Sequence, residues 1–497
     1  MHRPLSLLVF ALLAGCQLAP THQRPASPTA EQYPESLQPD RPGMTAASVQ
    51  WRDFLLDPRL QTLIDIALER NRDLQVAVQR IEETRGQFRI QNADRYPSLG
   101  LSADASRGRF PTGGTAGGSV GAGSGSGGGS NSAAATAGGA GVVERYSLGI
   151  GVTAFELDFW GRVRNLGEAA RSQYLASIEA QRAFRLSLIA DVSATYLALR
   201  EAEERIALAE ATVRSRRDGL RIAQVRFDAG ITSALDFNQA QALLTQAQTE
   251  LAALRLTRAQ QSNYLTLLIG GQPPTALPSP RALEQQTNPV SLAAGLPSEL
   301  LLARPDILAA EERLRAARAN IGVARAAFFP QVSLIGSAGY ASSELNDMIS
   351  TDNRTWSIGP SISLPLFDFG RNRGNLTVAE ARENIAVVEY ERAIEVAFRE
   401  VADALAGRRY LAEQLVAQEE NVATLRRIAD LAQDRYAEGV VNYLEVLDAE
   451  RNRFDAEQAF IQVQRAQVQN LIELYVALGG GTATGATPVH GSERAVP

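Results

Sequence analysis

The sequence predicts a mixed α and β membrane protein: short two-faced strands suited to a bilayer, joined to helices too long for a compact globule, in an order that occurs twice along the chain. Three features point there. At "FFPQVSLIGSAGY" (Phe328 to Tyr340) a helical pattern gives way at a proline to an alternation of period two, and "DRYPSLGLSADAS" does nearly the same. The segments beyond each proline separate apolar from small polar residues. A heptad pattern then runs on without a break for many turns.

The first helix-to-strand change sets the boundary expectations. Helix should stop at Pro330, because proline holds Phe329 out of the helical region and cannot donate to the ladder. In "YSLGIGVTAFEL" the residues Tyr146, Leu148, Ile150, Val152 and Ala154 share one face, and Ser147, Gly149, Gly151 and Thr153 the other. In "WSIGPSISLPL" Trp356, Ile358, Pro360, Ile362 and Leu364 oppose Ser357, Gly359, Ser361 and Ser363. This is the pattern of a strand between lipid and a water-filled lumen, although a half-buried strand in a soluble sandwich alternates too. Strands of roughly 10 to 12 residues cross a bilayer when tilted.

The same string of elements recurs. Placing Tyr96-Pro97 on Phe329-Pro330, an offset of 233 residues, brings Asp73 onto Asp306, Arg85 onto Arg318 and Leu101 onto Leu334. Further on, an offset of 209 places Gly161 on Gly370, "RFDAG" on "RYAEG", and Gly270-Gly271 on Gly479-Gly480. The extra length in the first copy is the run from Thr112 to Gly141, nearly all Gly, Ser, Ala and Thr without charge. Such a composition cannot bury enough apolar surface to order itself, so a loop is expected there. A phosphate-cradling glycine loop would need defined spacing between a strand and a helix.

The long helix of the first copy has Val192, Leu199, Ile206, Val213, Leu220 and Phe227 at seven-residue intervals, with Thr195, Ala202, Ala209 and Ala223 three places on. That is a coiled-coil seam with a small-residue side. From Arg162 to about Phe227 such a helix extends on the order of 100 Å at 1.5 Å per residue. Two hairpins give four strands per chain, whereas closed membrane barrels need at least about eight. An open sheet edge in lipid leaves backbone groups unpaired, so copies must join. Totals of 8, 12 or 16 strands all satisfy that arithmetic.

The amino terminus reads as a lipoprotein signal. Arg3, an apolar run from Leu5 to Leu13 and small residues precede Cys16, the chain's one cysteine. Leu13-Ala14-Gly15-Cys16 resembles the bacterial lipobox, which implies residues 1–15 as signal peptide and lipid on Cys16. The plainer alternative is a soluble secreted protein cut near residue 15. Gln17 suits outer-membrane sorting, and residues 16–50 are expected to form an extended tether.

Composition narrows the chemistry. All 49 basic residues are arginine, and the histidines are His2, His22 and His490, near the two ends. Schiff-base and P-loop lysines are therefore excluded, and a histidine triad or zinc site is disfavoured. The net charge of -6 argues against nucleic acid. No enzyme activity and no cofactor beyond the lipid are expected.

"RPDILAAEERLRAARANIGVARAAFFPQVSL" (Arg304 to Leu334), "SLPLFDFGRNRG" (Ser363 to Gly374) and the lipobox together resemble the TolC-like outer-membrane efflux channels, in the NodT or OprM-like lipoprotein branch. The resemblance spans about Trp51 to Gly480. It implies a homotrimer whose 12-stranded outer-membrane β-barrel, four strands from each chain, continues into a periplasmic α-helical barrel. Repeats would cover 51–271 and 296–480, with β-hairpins near 96–157 and 330–367, a linker at 272–295 and a tail at 481–497. It further implies a passive exit duct opened by a periplasmic adaptor and powered by an inner-membrane transporter, expected to be of the proton-driven RND type. The helix-hairpin tips would form the closed gate and the docking site, with Arg226, Gly230, Arg435 and Gly439 as docking positions. The family's two inward acids fall on Glu445 and Asp448. Asp236 aligns with Glu445 and is expected to belong to the channel gate with Glu445 and Asp448, while Gln239 replaces the second acid. Apart from the resemblance, these acids suit an ordinary solvated face near a helix start.

Two other readings fit less well. A periplasmic adaptor of the same machines should show one helical hairpin between halves of lipoyl-like and β-barrel domains. An enzyme acting on periplasmic polymers needs carboxylates facing each other across a cleft, not two on one strip of helix.

Overall fold

The computed structural model describes residues 17–30, 32–33, 44–109, 142–287, 292–293 and 301–482. Cys16, the loop expected at 112–141 and most of the tail at 481–497 lie outside the described residues. In chain order, β1 (Met44–Thr45) leads to α1 (Trp51–Phe54), α2 (Pro58–Arg70) and α3 (Arg72–Ala93). Next come β2 (Leu99–Arg109), β3 (Val142–Glu156), α4 (Arg162–Asp228) and α5 (Ala234–Leu268). The short β4 (Leu292–Ala293), which pairs in parallel with β1, precedes α6 (Pro305–Ala326), β5 (Gln331–Ser342), β6 (Arg354–Ser363), α7 (Arg371–Ala437) and α8 (Tyr443–Ala477). Helices α4 and α7 each hold 67 residues, and α5 and α8 each hold 35.

The chain divides into two compact units. One takes Glu82–Leu175 and Glu312–Val388, with the amino-terminal stretch up to Arg24; the other takes Pro25–Ile81, Ala176–Glu311 and Glu389–Pro497.

The first unit contains an antiparallel sheet of order β2-β3-β5-β6. Its register explains the alternation. Leu99 pairs with Val152, Leu101 with Ile150 and Ala103 with Leu148; Leu148 pairs with Tyr340 and Ile150 with Ala338; Ala338 pairs with Trp356 and Val332 with Ile362. Directly opposed residues point to the same side, so the apolar sets of all four strands form one surface. That surface is open: Leu99, Leu101, Trp356, Ile358 and Ile362 are exposed. No helix among the described residues is long and apolar enough to cross a membrane.

Two details depart from the expected pattern. Between Val152 and Phe155 the register shifts, since Val152 pairs with Gly336 and Phe155 with Leu334. This bulge gives β3 one residue more than its partner. Phe155 therefore continues the apolar face in place of Ala154. The same extra residue separates two offsets of the repeat, because Val152 corresponds to Ile362 and Phe155 to Leu364. Helix α6 also ends earlier than Pro330 requires. It stops at Ala326, and the amides of Phe328 and Phe329 bond to the Arg325 and Ala326 carbonyls at 3.2 and 3.1 Å. Restriction of Phe329 by the proline thus ends in a tightened turn rather than in helix up to the ring.

Residues after Cys16 are fastened rather than free. The Arg318 guanidinium on α6 donates to the Gln23 carbonyl at 2.7 Å and to Glu383 at 3.0 Å, and Arg325 donates to the Leu18 carbonyl at 3.1 Å. In the second unit Tyr33 is buried and stacks on Phe398 with ring centroids 4.9 Å apart.

The second unit has its core where helices meet: Leu60, Leu63 and Ile64 of α2 with Val192, Tyr196 and Leu197 of α4, Ile394 and Val401 of α7, and Leu474 and Tyr475 of α8. The expected seam is buried along Val192, Leu199 and Val213 with Thr195, Ala202, Ala209 and Ala223, and it opens to solvent at Phe227. At the centre Asp57, fully buried, caps α2 and accepts from the Tyr196 hydroxyl at 2.8 Å, the Arg281 amide at 3.0 Å and Gln286 Nε2 at 3.0 Å.

The helix ends show matching contacts in the two halves. Asn71, just before α3, donates to the Leu268 carbonyl at 2.9 Å, and Arg304, just before α6, donates to the Ala477 carbonyl at 3.0 Å. A side chain at Gly270 would strike the Arg70 carbonyl at 2.4 Å, and one at Gly479 the Ala303 carbonyl at 2.7 Å. These residues correspond under the offsets of 233 and 209.

Candidate functional site

The candidate site lies where each long helix turns into the following shorter one. At the first tip α4 stops because Gly230 takes a left-handed φ of 70°, with its amide on the Phe227 carbonyl at 2.9 Å and the Ile231 amide on the Arg226 carbonyl at 2.8 Å. The second tip is the same motif: Gly439 has φ 75°, its amide bonds to the Tyr436 carbonyl at 3.0 Å and the Val440 amide to Arg435 at 2.9 Å. Both bond pairs satisfy carbonyls that the helix end leaves free.

The restarting helices are capped in two ways. Ser233 and Asp236 form a reciprocal box at α5, and Asp236 also accepts from the Thr232 hydroxyl at 2.6 Å. That hydroxyl bond, with the Ser233 contacts, holds the Asp236 carboxyl below the usual carboxylate range. Asp236 is therefore occupied locally. At α8 the cap is Asn442, which accepts from the Glu445 amide at 3.3 Å.

This leaves the Glu445 carboxylate available for another partner. It accepts from Arg435 at 2.7 Å, closing the hairpin across its own turn, while Asp448 accepts from Arg451 one helical turn on at 2.8 Å. Glu445 and Asp448 lie on the exposed side of α8, whereas Val446 and Ala449 pack against Ala429 and Ala432 of α7. The expected pair thus shares one solvent-facing strip.

Arg226 joins the two hairpins. Its guanidinium lies 4.9 Å from the Tyr436 ring centroid and donates to the Tyr436 hydroxyl. Tyr436 in turn tilts against Tyr443 at 5.0 Å, whereas in the first tip Phe227 stacks at 5.7 Å on Phe237, a residue that corresponds to Val446 in the second. Burial pushes the Tyr443 hydroxyl up, so it stays protonated. Gly230 and Gly439 are exposed, and a side chain there would meet no atom. Sequence reasoning missed Tyr436, Asn442 and Arg451. The signals were present: Tyr436 aligns with Phe227, Asn442 stands just before the helix, and Arg451 follows Asp448 by three.

A sequence model of the family described as outer membrane efflux protein matches residues 63–271 and 296–480. The chain belongs to the outer membrane efflux protein family. It is 41% identical over 484 residues to the solvent efflux pump outer membrane protein SrpC of Pseudomonas putida, covering 96% of this chain and 98% of that one. It is 39% identical over 485 residues to the cation efflux system protein CusC of Escherichia coli O6:H1, covering 96% and 99%. The fold is similar to the open-state Neisseria gonorrhoeae MtrE outer membrane channel, with a TM-score of 0.82 and 37% identity over 94% of this chain and 99% of that one. This efflux protein therefore resides in the outer membrane, and its strands and long helices are those of a channel.

Proposed function

We propose that three copies of the chain close a twelve-stranded barrel in the outer membrane, four strands from each, and that their paired helices continue it as a periplasmic tube. The observation that carries this reading is the sheet: all four apolar faces coincide on one exposed surface, and β2 and β6 are left as open edges. Lipid suits the first feature and another copy the second. The assembly is a passive duct of a tripartite efflux system, opened by a periplasmic adaptor and driven by an inner-membrane transporter of the proton-driven RND type. Relatives named for solvent and for cation efflux fit a duct whose lumen-facing strand residues are mainly Ser and Gly and discriminate weakly.

Purified full-length protein in detergent should have the mass of three chains by light scattering and give stepwise conductance in planar bilayers. A stable monomer without conductance overturns the proposal.

The gate in this proposal consists of Glu445 and Asp448, with Asp236 in a lesser, capping role. Arg226, Gly230, Arg435 and Gly439 present the surface to which the adaptor docks; displacing the Arg226–Tyr436 contact frees one hairpin from its neighbour, and displacing Arg435–Glu445 loosens the second hairpin at its own turn. Cys16, outside the described residues, carries the lipid. Labelling cells with radioactive palmitate should mark the wild-type protein and leave Cys16→Ala blank, and equal label in both removes the anchor.

A further inference from the structure

The apolar face of the sheet ends in charge toward the loops. On β2 the outward set Leu99, Leu101, Ala103 and Ala105 is followed by Arg107, and on β6 the outward set from Trp356 to Ile362 is preceded by Arg354. Aromatic residues stand between them on the same face, Tyr146 opposite Ala105 and Tyr340 opposite Arg354. Arg107 pairs with Glu144 at 3.1 Å, and the Tyr146 hydroxyl donates to the same carboxylate at 3.3 Å. Arg354 is exposed and has no carboxylate partner among the described residues.

Strand length fixes the height of this row. β6 holds 10 residues, which at about 3.3 Å each and a tilt of about 40° rise about 25 Å, the height of an outer-membrane apolar band. The chain after Cys16 is fastened beside the other end of the sheet, where Arg325 holds the Leu18 carbonyl just ahead of β5. With the lipid proposed on Cys16 in the inner leaflet, Arg107 and Arg354 reach the headgroups of the outer one.

The two arginines also sit on the two open edges of the sheet, β2 and β6. In the closed barrel proposed above, those edges of neighbouring copies lie side by side, so each seam carries both guanidiniums against the single Glu144 carboxylate. Like charges on adjacent strands repel, and the positive charge left over calls for an anion. Guanidinium forks match phosphate oxygens through paired hydrogen bonds. Tyrosine and tryptophan beside them suit the boundary between acyl chains and water.

We infer that each seam binds a phosphorylated glycolipid of the outer leaflet, its phosphates between Arg107 of one copy and Arg354 of the next and its acyl chains along Trp356 and the apolar face. This rests on the closed-barrel reading above. Full-length protein in detergent, checked as an oligomer by light scattering, is titrated with bisphosphorylated lipid A, and bound lipid is counted by native mass spectrometry. Arg107→Gln with Arg354→Gln should weaken binding about tenfold or more, and dephosphorylated lipid A should bind the wild type weaker by about the same factor. Arg145→Gln is the charge control, because Arg145 lies at the same end of the sheet opposite Ser106 on the lumen face; it should leave binding unchanged.

Wild-type affinity in the double variant overturns the inference, as does equal binding of the dephosphorylated lipid. Displacement of lipid A by inorganic phosphate at equal concentration overturns it too, since the site then holds any phosphate. Equal competition by phosphatidylglycerol marks a general anionic-lipid surface and overturns the assignment to a glycolipid. If the double variant fails to assemble, Arg354→Gln alone decides: it leaves the Arg107–Glu144 pair in place, and unchanged binding in it overturns the inference. A monomeric wild type overturns the closed-barrel reading, whereas an oligomer that takes up no lipid A overturns this inference alone.

Discussion

Replacing Glu445 and Asp448 together with alanine is expected to raise single-channel conductance several-fold in planar bilayers and to weaken block by divalent cations. Both acids lie on one exposed strip of α8, each with an arginine of its own chain: Arg435 for Glu445 and Arg451 for Asp448. In the ring of three copies proposed above, the strip is set to face the axis, where stacked carboxylates would dominate the potential of a narrow pore. In that proposal, removing them takes away the negative charge to which divalent cations would bind. It also breaks the bond across the turn, since Arg435 then has no carboxylate at 2.7 Å. An exposed pair contributes about 0.2–1 kcal/mol, a small sum per copy that every copy loses together. Glu445→Gln with Asp448→Asn separates the two effects, keeping shape and removing charge. Arg435→Ala isolates the other: conductance should rise while divalent block is retained or strengthened. Asp236→Ala should change conductance less, because that carboxylate is committed to Ser233 and Thr232. Unchanged conductance in the double alanine variant removes Glu445 and Asp448 from the gate.

What the sequence revealed was local. Proline at 97 and 330, alternation in the strands, heptads in α4 and the glycines at 230 and 439 act through their immediate neighbours, so their patterns survive in one dimension. The tip acids were legible through the resemblance, because an acid three residues from another on a helix start fits a plain solvated face equally well. Contacts that depend on folding were not legible. Arg226 meets Tyr436 from 210 positions away. The bulge between Val152 and Phe155 appears when β3 is laid against β5, and before that Ala154 holds its place in the alternation. Asp57 looks in sequence like an ordinary helix cap before Pro58, and the distant groups that converge on it leave no periodic trace.

Asp57→Ala is accordingly expected to cause the largest loss of stability of any single change considered. The carboxylate divides its work: one oxygen accepts from the Arg59 and Leu60 amides at 2.8 and 3.4 Å, and the other takes the Tyr196 hydroxyl, the Arg281 amide and Gln286 Nε2. Alanine removes the cap, at about 1 kcal/mol, and leaves buried donors without an acceptor, at about 1–3 kcal/mol for each that finds no water. A total near 3–5 kcal/mol places the change among the most damaging that single substitutions produce. The thermal midpoint followed by circular dichroism at 222 nm should fall sharply, with a lower yield of folded protein. Asp57→Asn gives a more specific check. It keeps the oxygen that caps α2 but presents an amide to three converging donors, so it should rescue little. Burial, reinforced by Asp57 itself, keeps the Tyr196 hydroxyl protonated at all ordinary pH, which makes it a permanent donor to this site. Removing that donor along with its acceptor should therefore cost less than the sum of the separate changes. Strict additivity of Asp57→Ala and Tyr196→Phe would instead mean that their bond contributes nothing to holding α2 against α4.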